Sequence, residues 1–381
     1  VQQVPAQAQA QPSSPWDQSP FAQPGPFVAH TLRDTLRDEA RSKDLQITLR
    51  WPTSTDANTK LGPRPLVVFS HGMGGDREAF TKLSEHWASH GFIVVHATHS
   101  DSIKLRREQG EKLTRESMRD VRNVDPADRV ADVVFLAQSP QLLLDLIAKH
   151  EAGAGKVAQQ APLTIDTNRI AIAGHSAGAL TTQLAINVKA RMREPGARAR
   201  EMLARTERGN EVFKAGVVIS GQGTTNRMLG EESWSELRVP MLVLAGSEDV
   251  AGVGNETPES RRHPFEKSRG EAAGGPPVGL VWIVGATHGS YQGNDLTNLL
   301  REDPSVDVGM VAATTRASTL AFLLAWSEGT LKGMHTPPAS PEATWEKAQQ
   351  AGSISQAAPN VLRDPAWLPA LSEEQATLRW K

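Results

Sequence analysis

Five residues, Gly174-His-Ser-Ala-Gly178, set one serine between two glycines. The residues before them, Arg169-Ile-Ala-Ile-Ala173, read as a short buried strand, and Ala177 to Ile186 reads as a helix start. A serine hydroxyl is a weak nucleophile at neutral pH. It needs a base to take its proton and preorganised donors to hold the developing oxyanion. A sharp strand-to-helix turn lifts such a hydroxyl above the sheet edge, and residues without bulk let the chain make that turn. The helix start behind it favours developing negative charge. Ser176 is therefore the candidate nucleophile. Gly174 and Gly178 permit the turn, and His175 is expected to pack rather than act as a second base. With 31 glycines in the chain the pentapeptide also arises by chance, so the positions of an acid, a base and an oxyanion loop decide its meaning.

Strand–serine–helix turns of this kind are the nucleophile elbows of α/β-hydrolases, where acid and base follow later strands in the order Ser, Asp, His. Val239 to Ala245 reads as a strand and is followed by Gly246-Ser-Glu-Asp-Val250. Asp249 is the expected acid, with Glu248 as the alternative. Val278 to Val284 reads as the last clear strand and is followed by Gly285-Ala-Thr-His-Gly-Ser-Tyr291, which makes His288 the expected base. His288 would take the serine proton and return it to the leaving group. Asp249 would fix the imidazole tautomer and stabilise the imidazolium.

Two backbone N–H groups must face the oxyanion. One is expected from Ala177, the residue after the nucleophile. The other is expected from the loop Ser70-His71-Gly-Met-Gly-Gly75, at Met73, with Gly72 and Gly74 as alternatives. His71 is read as a brace of this loop. Gly72, His99 and Tyr291 are candidate substrate contacts, whereas Asp101 and Ser102 read as a polar loop. No metal-ligand spacing is visible and no cofactor is expected. The loop glycines precede no G-K-[ST], which argues against a nucleotide site.

The elements that must position these groups read as a mostly parallel, twisted α/β sheet with helices on both faces. His30 to Trp51 reads as two strands around Glu39–Asp44. Pro65 to Ser70 and Gly91 to His96 read as strands joined by a helix over Glu78 to Ser89, a βαβ unit. Asp125-Pro126 opens a helix, with Asp at the N-cap and Pro at the first helical position, and Ser139-Pro140 opens another. Ala215 to Ser220 reads as a strand and Val311 to Trp326 as a closing helix. Ser100 to Asn123 is charged and aperiodic, a solvated excursion, and Lys189 to Arg208 is a second charged insertion.

The domain is expected over residues 26–334, preceded by a tail over 1–25 and followed by a surface-wrapping extension over 335–381. The tail is rich in Gln, Ala, Pro and Ser and is expected to be disordered or extended. It resembles what signal-peptide cleavage leaves, so export to the periplasm or beyond is the expectation. Hydrophobic residues make up 39% of the 381-residue chain, charged residues 22%, and the formal charge is −2. That balance gives no global field for nucleic acid. No uninterrupted apolar run approaches the ~18 residues of a membrane span. With no cysteine, thiol nucleophiles, disulfides and zinc–thiolate sites are excluded.

Taken together, Pro65-Leu-Val-Val-Phe-Ser-His-Gly-Met-Gly-Gly75, Trp87-Ala-Ser-His-Gly-Phe-Ile-Val-Val95 and Gly174-His-Ser-Ala-Gly178 resemble the platelet-activating-factor acetylhydrolase group. They are similar also to dienelactone-hydrolase-like enzymes and to cutinase-like polyester hydrolases. The resemblance covers roughly residues 29–330. It implies a carboxylic-ester hydrolase working through an acyl-enzyme, with Met73 and Ala177 as oxyanion donors, and polyesters among the substrates to test. Other serine hydrolase activities (peptidase, thioesterase, acyltransferase) and a non-catalytic binding protein of the same fold are the rival readings. The small Ala177, the absence of a C-terminal disulfide and the two charged insertions depart from the pattern of these relatives and leave the substrate open.

Overall fold

The computed structural model describes residues 19–55, 61–112, 114–122, 125–153, 163–191, 211–250, 254–296, 307–331 and 376–381. Within them, nine strands form one sheet in the order β1-β2-β4-β3-β5-β6-β7-β8-β9. β1 (Val28–Asp38) and β2 (Lys43–Thr53) make an antiparallel hairpin at one edge, and β2 is antiparallel to β4 (Ile93–Ala97). From β4 through β3 (Arg64–Ser70), β5 (Ile165–His175), β6 (Ala215–Ile219), β7 (Met241–Glu248) and β8 (Val278–Thr287) all neighbours are parallel. β9 (Ala376–Trp380) closes the other edge, antiparallel to β8. A nine-strand, mostly parallel sheet with helices on both faces is an α/β-hydrolase-type fold, as the strand and helix spacing predicts.

Alternation along the central strands builds both cores. In β3, Val67 and Phe69 join the cluster that holds Leu83, Trp87 and Leu320, whereas Leu66 and Val68 join the cluster that holds Val130, Val133 and Leu184. α1 (Thr81–Ser89) and the closing helix Val308–Ser327 therefore cover one face. α4 (Pro126–Ala137) and α6 (Ala177–Ala185) cover the other. Each fully buried Leu, Val or Phe of these layers contributes about 1.5–3 kcal/mol relative to exposure. The connection from β3 runs out to β4, and the chain then returns to place β5 on the opposite side of β3. Reversal of this kind opens a crevice at the carboxyl ends of the two strands, where ligands of open α/β sheets bind. The loop after β3 and the elbow after β5 meet there.

Three expectations change. First, the tail does not run to residue 25. Phe21 and Ala22 are buried in the core, the Phe21 carbonyl accepts from His86 Nε2 at 2.8 Å, and the Gly25 N–H donates to Ser89 Oγ at 2.9 Å. One aromatic side chain is enough to anchor this polar stretch on the end of α1. Second, of the extension expected over 335–381, residues 335–375 lie outside the described residues, and Ala376–Trp380 is an edge strand of the sheet, with Trp380 stacked on Phe322. Third, the excursion after β4 contains two short helices, α2 (Ile103–Glu108) and α3 (Arg115–Arg122), and the Ile103 N–H donates to the Gly74 carbonyl at 3.1 Å. By length and composition alone Val308–Ser327 could cross a bilayer, and 83% of its apolar window lies inside the fold, as in the core helix of a globular domain. Its Thr, Ser and Arg residues interrupt the run, so a count of continuous apolar residues misses it. Residues 192–210 of the second insertion lie outside the described residues.

Candidate active site

The elbow has the expected strain. Ser176 sits at φ 55°, ψ −119°, a conformation that L-residues adopt only when the surroundings hold it. Both flanking glycines are required by close approach. A Cβ on Gly174 would run into the Gly178 carbonyl, and one on Gly178 would run into the carbonyl of Ser70. α6 is thus pressed against the ends of β5 and β3. The Ser176 side chain makes no capping bond to α6, which leaves its hydroxyl available to other partners.

That hydroxyl lies 2.9 Å from His288 Nε2, and His288 Nδ1 lies 2.9 Å from Asp249 Oδ1. The three residues predicted from separate strand ends therefore form one hydrogen-bonded chain. A carboxylate only accepts, so Nδ1 carries the proton and Nε2 presents its lone pair to Ser176. Glu248, the alternative acid, is exposed, and among the described residues its carboxylate takes only the Ser247 hydroxyl. Asp249 is fully buried. Burial by itself would raise its pKa. The hydrogen bond from His288, the charges of Arg261 and His288, and the hydrogen bond from Ser220 outweigh burial and hold the carboxyl below its usual range.

Three residues around Asp249 shape this chain. Ser220 directs its hydroxyl to Asp249 Oδ1 at 2.9 Å and lies 2.7 Å from His288 Nδ1, held at φ 51° just past β6. Arg261 lies 3.3 Å from Asp249 Oδ1 and donates to the Ser220 and Gly221 carbonyls, both at 3.1 Å. Tyr291 is buried and donates its hydroxyl to Asp249 Oδ2 at 2.9 Å, so it holds the acid instead of contacting substrate. Burial, the Asp249 charge and the hydrogen bond to Asp249 raise its pKa well above the ordinary value. His175 is a packing residue, as expected. Its ring packs at a tilt against Phe80 and His288, and its Nε2–H donates to the His288 carbonyl at 2.8 Å. Burial, followed by the neighbouring His288, lowers its pKa to about 3.

On the β3 side, an ideal Cβ on Gly72 would lie 3.5 Å from Ser176 Cβ, so the His71–Gly75 loop abuts the elbow. Ala177 is the first residue of α6 and its N–H has no intrahelical acceptor. Among the described residues no acceptor takes the Met73 N–H, and the Met73 side chain is 42% exposed. His71 braces the loop as expected: Nε2 accepts the His99 N–H at 3.0 Å, and Nδ1–H donates to the Gly72 carbonyl at 2.6 Å. Burial and the charge of Arg129 lower its pKa to about 4, so it is neutral. His99 does not face a substrate. It is fully buried, accepts the Ser70 hydroxyl at 2.8 Å and donates Nδ1–H to Asp132 at 2.8 Å, because the chain after β4 turns its ring in toward α4.

Sequence reading missed Ser220, Arg261 and Arg129. Ser220 carried a signal, since it ends a predicted strand beside the elbow strand. Arg261 lies in an aperiodic stretch, and Arg129 sits on a helix among apolar residues; neither offered one.

A family model for platelet-activating factor acetylhydrolase, isoform II, matches residues 41–126, which hold β3, the loop after it and β4. The platelet-activating factor acetylhydrolase of the dog, Canis lupus familiaris, is 26% identical over 161 residues, 37% of this chain. The match covers 36% of the dog protein, about a third of its length. Both matches support the platelet-activating-factor-acetylhydrolase-like branch of the α/β-hydrolases.

Proposed function

We propose that this protein is a serine carboxylic-ester hydrolase that works through an acyl-enzyme on Ser176. The observation that carries this reading is the unbroken chain from Asp249 through His288 to Ser176, at 2.9 Å for each bond. His288 Nε2 takes the hydroxyl proton as Ser176 Oγ attacks the ester carbonyl. The negative charge that develops on the carbonyl oxygen is received by the N–H groups of Met73 and Ala177. On collapse, His288 returns the proton to the alkoxide, and the alcohol leaves. Water then repeats the sequence against the acyl-enzyme and releases the acid. Asp249 stabilises the imidazolium in both halves without taking a proton. The hydrogen bonds from His288 and Ser220 and the charge of Arg261 outweigh burial and keep it ionised for this role.

The matched relatives carry the name of an acetylhydrolase. Short acyl groups, including the acetyl ester of a phospholipid, are therefore the first substrates to test. Cleavage of polyesters rests on the cutinase-like resemblance alone.

A fluorophosphonate probe and a panel of p-nitrophenyl esters, set beside the matching amides, test the reading. Labelling of wild type, its loss in Ser176→Ala, and ester turnover well above amide turnover are expected. Absence of labelling, or equal labelling of Ser176→Ala, favours a binding protein. Faster amide turnover favours a peptidase.

A further inference from the structure

The buried pair Arg129–Asp101 belongs to neither the acid nor the base, yet every group around it points at the loop after β3. The guanidinium holds Asp101 as a fork, Nη2 to Oδ2 at 2.7 Å and Nε to Oδ1 at 3.1 Å. Its remaining hydrogens go to the end of β3 and the loop after it: Nη1 donates to the His71 carbonyl at 2.7 Å and approaches Ser70 Oγ at 3.4 Å, and Nη2 approaches the Gly72 carbonyl at 3.4 Å. Asp101 Oδ2 also accepts the Gly74 N–H at 3.0 Å. The Gly72 carbonyl takes further donors from His71 Nδ1 at 2.6 Å and the Gly75 N–H at 3.1 Å. Arg129 and Asp101 are both buried, on α4 and in the loop after β4.

The Gly72 carbonyl and the Met73 N–H belong to one peptide plane and point in opposite directions across it. Three donors that pull the carbonyl one way therefore turn the N–H the other way, where no described residue accepts it. Flipping this peptide would forfeit all three bonds and turn the Met73 N–H, a donor, against the guanidinium. We infer that Arg129 and Asp101, with His71, lock the Gly72–Met73 peptide so that the Met73 N–H is fixed as an oxyanion donor before substrate arrives. They are positioning residues, since they act through the loop and touch no reacting atom. The inference rests on the ester-hydrolase reading of Ser176.

Lysine has no fork and methionine no charge, so neither can replace the guanidinium. The test compares wild type, Arg129→Met, Arg129→Lys and Asp101→Asn for kcat and KM on p-nitrophenyl butyrate, normalised to folded protein by circular dichroism. Each is also titrated with a trifluoromethyl ketone, whose adduct on serine bears an oxyanion. Loss of one oxyanion donor reduces kcat by about 10²–10³-fold. Arg129→Met and Arg129→Lys are expected to approach that fall with KM within about twofold, and the ketone affinity is expected to fall in step with kcat. Asp101→Asn keeps shape and an acceptor for Gly74, so it folds where Arg129→Met does not, and it is expected to show a smaller fall of the same kind. Wild-type kcat in the folded variants, or a kcat loss with unchanged ketone affinity, overturns the inference. A wild type that hydrolyses no ester, or a Ser176→Ala protein as active as wild type, overturns the functional reading instead.

Discussion

Arg261 places a buried guanidinium 3.3 Å from the carboxylate of Asp249, with its Nη2 3.4 Å from His288 Nδ1. The acid thus carries a permanent counter-charge before any proton moves. A positive charge at this distance favours the ionised carboxylate and helps hold its pKa below the usual range. Replacing Arg261 with Met should let the Asp249 carboxyl take a proton at higher pH than in wild type, and the acid limb of the kcat/KM profile should move upward. The variant also leaves Asp249 buried without its cation, which costs about 3–5 kcal/mol of stability. A profile measured from pH 5 to 9, with thermal melting alongside, checks both. An unmoved acid limb in a folded variant would contradict the argument.

Tyr291→Phe removes the one described donor to Asp249 Oδ2 and leaves the shape of the ring in place. A hydrogen bond to a charged group is worth about 1.5–3 kcal/mol. The acid keeps His288, Ser220 and Arg261 on Oδ1, so part of the loss falls on stability and part on its orientation. Thermal melting should drop, and kcat should fall about tenfold while KM stays near the wild-type value. A rise in KM with kcat intact would return Tyr291 to the substrate pocket.

Six buried histidines make the fold acid-labile. His71, His86, His90, His96, His99 and His175 all have pKa values lowered first by burial, to about 4 for His71 and about 3 for His175. Above pH 6.5, the ordinary value, neither the folded nor the unfolded chain holds these protons. Below it the unfolded chain protonates first, so stability is lost as pH falls from 6.5 toward the folded values. Each histidine in that window contributes a slope of about 1.4 kcal/mol per pH unit. Asp249 has a depressed pKa, and its contribution is lost only at lower pH, below the usual carboxylate range. Chemical denaturation at pH 7.5 and pH 5.5 should show a large drop between them. Equal stabilities would mean that these rings are hydrated.

The residues that do the proposed chemistry were legible because each sits at the end of an apolar run. Asp249 follows β7 and His288 follows β8, and strand ends are recognisable from composition alone. Their supports were not legible. Arg129 is a charged residue on a helix that reads as amphipathic, and only the fold shows its guanidinium turned inward to the loop after β3. His99 and Tyr291 read as pocket residues because they lie next to the right strand ends. Their rings turn into the core, toward Asp132 and Asp249.

The sequence by itself determined the central strands and helices from Pro65 to Trp326 that carry the site, the strained serine, and the acid and base that follow later strands. Periodicity and turn chemistry are local, and these features are written locally. Only the tertiary structure decided which side chains meet across the crevice between β3 and β5. Ser220, Arg261 and Tyr291 converge on Asp249 from separate segments, and Arg129 reaches the Gly72–Met73 peptide from another helix. Such contacts depend on side-chain direction and burial over long separations, which no local pattern encodes.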